Sequence, residues 1–210
     1  MLPFIIRIDI LFEIVSLVIS IAISAVALVG AKKTGSRSLT LLSFGFLLMA
    51  LAMLLRVVLT TWALSFPMSR QMPFRIFPFL ILQAQELVYS VVRVAAYAVF
   101  LYLYSSYSVS KPQPSLVLVA VTPSLIYNPF FEAVSALIIS IIIIQLWKSR
   151  MVGDSTYVMY GFLLLMISHV LFLALPLWLM LYFVAQLLQL IALLFFLVAV
   201  LSVLFRGQRL

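Results

Sequence analysis

The chain has 210 residues, 67% of them hydrophobic and only 9% charged, with a mean hydropathy of +1.33; a water-soluble domain of that composition would leave most of its apolar side chains in solvent, so that class is excluded. The formal net charge of +8 comes from lysines and arginines set singly or in pairs at the ends of apolar runs, without the continuous stripe that a nucleic-acid surface needs. With no cysteine, disulfides, thiolate metal ligands and thiol catalysis are excluded as well.

Apolar runs bounded by charged or turn-rich breaks predict seven helices, near 9–31, 39–64, 77–105, 115–127, 129–147, 156–176 and 178–205. The first carries Asp9 and Glu13 near its start and lacks a small-residue cleavage signature, so it is read as a helix and not a removable signal peptide. The second follows the basic turn "AKKTGSRS". Before the third, "SFPMSRQMPFRIFPF" mixes Arg70 and Arg75 with Phe, Met and Pro and reads as an interfacial loop. The fourth, within "SLVLVAVTPSLIYN", would reach only ~20 Å against a hydrocarbon core of ~30 Å, and Pro123 bends it. The fifth opens on "PFFEAVS", the sixth follows "WKSRMVGDS", and the seventh runs almost to the C-terminus. No stretch is left that is long enough to fold as a separate soluble domain, so residues 1–210 form one membrane domain.

Basic residues flanking short loops stay on the cytoplasmic side of a membrane. Seven crossings with the N-terminus outside put eight basic residues inside (Lys32, Lys33, Arg37, Lys111, Lys148, Arg150, Arg206 and Arg209) and three outside (Arg7, Arg70 and Arg75). A single crossing over 115–147 would leave four inside against seven outside. An internal echo points the same way: Phe12, Glu13, Val15, Ser16 and Ile19 recur as Phe131, Glu132, Val134, Ser135 and Ile138 at a constant offset of 119, and "GFLLMA" at 45–50 recurs as "GFLLLMIS" at 161–168. The expected architecture is all-α, seven transmembrane helices, N-out and C-in. It is a parallel 3+1+3 repeat, with a first unit at 8–105, a linker helix at 115–127 and a second unit at 128–206.

That 3+1+3 plan resembles the SWEET transporters and the microbial rhodopsins. The resemblance covers the whole chain but rests on no diagnostic motif. Retinal would need a lysine in the last helix, whereas Lys32, Lys33, Lys111 and Lys148 all fall in connections, and the SWEET proline pattern is lacking. The phrase "TGSRSLTLLSFGFLLMALAMLLR" is similar to small uncharacterised seven-helix membrane proteins of archaea, a resemblance that implies no activity.

An ionisable side chain costs ~2.5–3.5 kcal/mol at the centre of a membrane helix, so Glu13, Arg56, Glu86, Arg93, Glu132 and His169 are the candidate functional groups. Glu13 and Glu132 fall one turn inside the outer ends of their helices, where complementing the helix dipole is the simplest expectation. Arg56 either snorkels to the surface or pairs inward. Glu86 has no cation at i+3 or i+4 and is expected to pair with Arg56 or His169 across helices, while Arg93 lies ~10 Å along the helix from Glu86, too far to bond it. Gln83, Glu86, Ser90, Arg93 and Tyr97 form a stripe at helical spacing, and Gln186 and Gln189, with Tyr182 one turn earlier, mark the corresponding face of the last helix. Such faces either glue helices together or line a polar cavity open to the outside. His169 is the only histidine, so a bis-histidine haem cannot form from this chain, and Met49, Met53 and Met166 read as packing residues; no metal or other cofactor is expected.

No catalytic motif, metal-ligand cluster or nucleotide loop is present in the sequence. The functional expectation is a non-enzymatic, multi-pass module of the cell membrane, a sensor or an accessory subunit of a larger complex. Its expected partners are the lipid bilayer, other membrane subunits or further copies of itself, with no nucleic acid. A small-solute or proton-coupled transporter using an outward-facing polar cavity is the alternative, and a lipid-modifying enzyme with Glu86 and His169 as acid and base ranks last.

Overall fold

The computed structural model describes residues 2–65, 76–105, 129–148, 155–178 and 180–206. Its helices are α1 (Leu2–Thr34), α2 (Arg37–Ser65), α3 (Ile76–Ser105), α4 (Pro129–Lys148), α5 (Ser155–Leu173) and α6 (Leu181–Arg206), with a 3-10 turn at Leu175–Leu177. All six helices contain a stretch long and apolar enough to cross a membrane, and there is no strand among the described residues. The chain is therefore an all-helical, multi-pass membrane protein. The expected count of seven becomes six among the described residues, because the short helix expected at 115–127 lies outside them, as does the loop over 66–75.

Local chemistry sets the helix boundaries. Gly35 adopts φ 67° and its N–H bonds the carbonyl of Ala31 at 2.8 Å, a left-handed cap that ends α1 and turns the chain into α2. The sixth predicted helix was expected to reach 176, but α5 stops at Leu173: Pro176 lacks the N–H and forces the 3-10 turn, and α6 begins only at Leu181.

The helices are apolar on every side, so small and polar residues, more than hydrophobic ones, mark the buried faces. On α1 that face is Glu13, Ser16, Ser20, Ser24, Ala27 and Ala31, all buried. Ser24 and Ser43 clamp α1 to α2 reciprocally, each hydroxyl donating to the other's backbone carbonyl at 2.9 Å. Large apolar side chains such as Leu11, Val18, Leu47, Val91, Leu137 and Leu187 face outward, as a lipid-facing surface requires.

Each helix packs on its neighbour in sequence, and α6 returns to α1, closing a ring. Side-chain contacts fix the directions. Glu13 meets Arg56 while Gly30 faces Leu39, so α1 and α2 are antiparallel. Arg56 meets Glu86 and Phe46 meets Phe100, so α2 and α3 are antiparallel as well. Toward α5, Tyr97 bonds His169 from α3 while Tyr104 touches Phe162, and Glu132 bonds His169 from α4 while Ser140 bonds Met166. Helices α3 and α4 thus both run opposite to α5 and parallel to each other. Consequently Ser105 and Pro129, the last residue of α3 and the first of α4, sit at opposite ends of the bundle. One end, here the basic end, exposes Lys32, Lys33, Arg37 and Lys148.

The interior has two layers. Toward the basic end, Phe46, Phe100, Phe162 and Phe196 form a closed circuit with ring centroids 4.8 to 5.9 Å apart, mostly edge to face. Gly45 and Gly161 permit it: a Cβ on Gly45 would lie 2.3 Å from the ring of Phe100, and one on Gly161 would lie 2.8 Å from that of Phe196. Toward the opposite end the core becomes ionic.

Candidate functional site

The ionic layer is built from one face of each helix. Asp9 and Glu13 are one turn apart on α1, so both project toward α2 and α6. Arg56, near the end of α2, reaches them: its Nη1 donates to Glu13 at 2.6 Å, its Nη2 lies 3.6 Å from Asp9, and its Nε lies 4.0 Å from Glu86 on α3. From α6, Tyr182 donates its hydroxyl to Asp9 and Gln186 donates to the same carboxylate oxygen at 3.2 Å.

A second set lies deeper. Arg93 on α3 donates to one oxygen of Glu132 on α4, and the other oxygen of Glu132 lies 2.5 Å from Nδ1 of His169 on α5. The Nε2 of His169 lies 2.9 Å from the Tyr97 hydroxyl. With a neutral imidazole every polar contact in this chain is satisfied in one direction: Tyr97 O–H donates to Nε2, Nδ1–H donates to Glu132, and Arg93 donates to Glu132. His169 is fully buried and Glu132 is 5% exposed, so these bonds act in a water-poor interior where they are stronger than in solvent. Both ring nitrogens of His169 are engaged by protein groups, and among the described residues no three His, Cys, Asp or Glu side chains converge as metal ligands.

Tyr89 joins the two sets. The guanidinium of Arg56 stands 4.8 Å from the centroid of its ring and that of Arg93 stands 4.9 Å from it. One phenol thus screens two cations that would otherwise face each other in low dielectric. Of the expected stripe on α3, Glu86, Ser90, Arg93 and Tyr97 turn toward the interior, and Tyr89, which was not part of that stripe, lies among them.

Several expected pairings change. Glu13 and Glu132 are more than helix-end charges: at 3% and 5% exposure they are buried and ion-paired, because an arginine from a neighbouring helix stands within reach of each; Glu132 still lies in the first turn of α4, whereas α1 begins at Leu2, well before Glu13. Arg56 turns inward instead of snorkelling, drawn by three carboxylates. Glu86 meets Arg56, one of its two expected partners, whereas His169 is taken by Glu132 and Tyr97. Gln186 joins the network through Asp9, Gln189 is buried without being part of it, and Gln83 is half-buried at the start of the stripe. Met49 and Met53 are core residues, and the sulfurs of Met53 and Met166 accept from Ser20 at 3.8 Å and Ser140 at 3.3 Å. Asp9 and Tyr89 did not stand out as site residues in the sequence, although a signal existed: Asp9 precedes Glu13 by one turn, and Tyr89 lies between Glu86 and Arg93 on the same face. A shallow, mostly apolar groove between Ala27, Gly30, Leu39 and Val200 lies at the basic end and contains none of these ionic groups.

Comparison with protein-family models, with curated proteins and with solved structures gave no match, so no activity is carried over to this chain from a relative.

Proposed function

We propose that the chain is a non-enzymatic, multi-pass module of the cell membrane, a sensor or accessory subunit of a larger membrane complex whose working part is the interior ionic network. The observation that carries this reading is the stacking of the two layers: the network is partly exposed at Asp9, Arg56 and Glu86, at 16 to 25%, and ends at the four-phenylalanine circuit. A group can exchange with one side of such a network, while the apolar layer stands across a path to the other. Signals would then leave the module through its helices, by the way they meet a partner.

The same reading takes the chain as seven crossings, N-out and C-in, in a parallel 3+1+3 repeat with the fourth crossing between α3 and α4. Supporting it, Ser105 and Pro129 lie at opposite ends of the bundle, the described lysines Lys32, Lys33 and Lys148 gather at one end, and the glycine–phenylalanine contacts Gly45–Phe100 and Gly161–Phe196 correspond across the two echoed "GFLL" stretches. The basic end is then cytoplasmic and the ionic layer faces outward.

Purification in mild detergent, with identification of co-purifying chains, tests the module. A stable stoichiometric partner or defined homo-oligomer is expected. A monomer that carries proton or solute flux in vesicles would overturn the module in favour of a transporter, the reading favoured by the partial exposure of Asp9 and Glu86.

A further inference from the structure

Glu13 and Glu132 occupy corresponding places in the echoed sequence, yet their oxygens are treated differently. Both oxygens of Glu132 are served, one by Arg93 and one by His169. Glu13 has one oxygen on Arg56 at 2.6 Å, while its Oε2 is buried and has no hydrogen-bond partner. The charges around it do not balance. Facing Glu13 are Asp9 from α1, Arg56 from α2, and Glu86, Tyr89 and Arg93 from α3, while Tyr182 from α6 meets Arg56 and Asp9. Arg93 is already committed to Glu132, which leaves Arg56 alone against Asp9, Glu13 and Glu86.

We propose that Glu13 is a proton-binding site, holding a neutral carboxylic acid that exchanges its proton with the exposed end of the network. Of the three carboxyls, Glu13 is the most deeply buried and the one with a buried oxygen that meets no donor. Asp9 accepts from Tyr182 and Gln186 and lies beside Arg56, three interactions that suit a carboxylate. The Glu86 side chain is 25% exposed and can be solvated. That of Glu13 is 4% exposed, and as an anion it would bury a charged oxygen with no donor. As an acid, its carbonyl oxygen keeps the Arg56 bond, and the orphaned oxygen becomes a neutral hydroxyl in place of a buried charge. A proton also needs no cavity. Its exchange path would run by Arg56 and Glu86, which are partly exposed. This assignment deepens the reading above by naming the ligand of the same network, but its test is separate: association of the module and protonation of Glu13 can each fail without the other.

Infrared spectra of the full chain reconstituted in vesicles at neutral pH test the site through the carbonyl band of a protonated carboxyl. The band is expected in the parent protein, shifted in D2O, and absent in Glu13→Gln. In Glu86→Gln, which removes the most exposed carboxylate of the network and only its 4.0 Å contact with Arg56, it should persist with about half the amplitude or less, since one repelling charge is gone. No band in the parent, a band that survives Glu13→Gln, or an amplitude unchanged by Glu86→Gln would overturn the proposal. So would a band that sodium chloride abolishes at constant pH, which assigns the site to a metal cation.

Discussion

Removing one member of the Arg93–Glu132 pair is the most informative perturbation of the fold. Both side chains are almost wholly buried, and neither can reach water without unpacking α3 from α4. Glu132→Gln removes the negative charge and keeps the shape; the new amide oxygen can still accept from His169 or Arg93, but the guanidinium is left without a counter-ion. Breaking such a pair costs about 3–5 kcal/mol, and because Tyr89 offers Arg93 a second, weaker site, the lower half of that range is expected here. Arg93→Met strands Glu132 instead, with only a neutral imidazole as donor, and should cost more. Combining the two changes removes the unpaired charge created by either, so the double variant should be less destabilised than the sum of the single ones by about 2–3 kcal/mol. Equilibrium unfolding in mixed micelles, followed by tryptophan fluorescence, gives the four numbers of the cycle. Additive effects within about 0.5 kcal/mol, or a cost below about 1 kcal/mol for Glu132→Gln, would refute the claim that this pair is coupled and desolvated.

The other outcomes are simpler to state. Gly45→Ala and Gly161→Ala should each destabilise by about 1–3 kcal/mol, Gly45 the more, because their Cβ atoms would enter the rings of Phe100 and Phe196, while Gly35→Ala meets no atom and should cost only about 1 kcal/mol of backbone strain in the same unfolding assay. Tyr182→Phe takes a donor from Asp9 and should lower stability by about 1–3 kcal/mol; no change would mean that the contact contributes nothing. Since the chain has no cysteine, Ser105→Cys and Phe130→Cys can be labelled singly in sealed vesicles. An impermeant reagent should reach one from each side, and labelling of both from one side would rule out a crossing between α3 and α4.

The helical spans were legible because a membrane imposes a length and an apolarity that no other environment demands. The turn at Gly35 was legible but its boundaries only to within a few residues, since α1 runs to Thr34 and α2 starts at Arg37 where 31 and 39 were expected; the end of α5 was less so, because Pro176 shortens an apolar run that hydropathy alone extends. The stripe on α3 could be read from spacing, since every member lies on one turn-to-turn row. Partner choice could not. Whether Glu86 faced Arg56 or His169 depends on the rotation and height of three separate helices, and nothing local to Glu86 encodes those. The ion pairs of Glu13 and Glu132 were out of reach for a related reason: a carboxylate near a helix end does not say whether the neighbouring helix carries an arginine at the same height.

The placement of charge also decides how the bundle is closed. Grouping α1 to α3 and α4 to α6 leaves two seams, α3 against α4 and α6 against α1. At the ionic end the first seam is bridged by Arg93 and Glu132, and the second by Tyr182, Gln186 and Asp9. Toward the basic end the same two groups are joined by Phe46 against Phe196 and Phe100 against Phe162, contacts with no titratable group. A change of charge in the network therefore acts on both seams at one end and on neither at the other. The aromatic circuit would serve as a fulcrum, and loss of a proton or a carboxylate would splay the ionic end while the basic end held its packing. That asymmetry is what a membrane module needs if an event at one surface is to alter how its helices meet a partner.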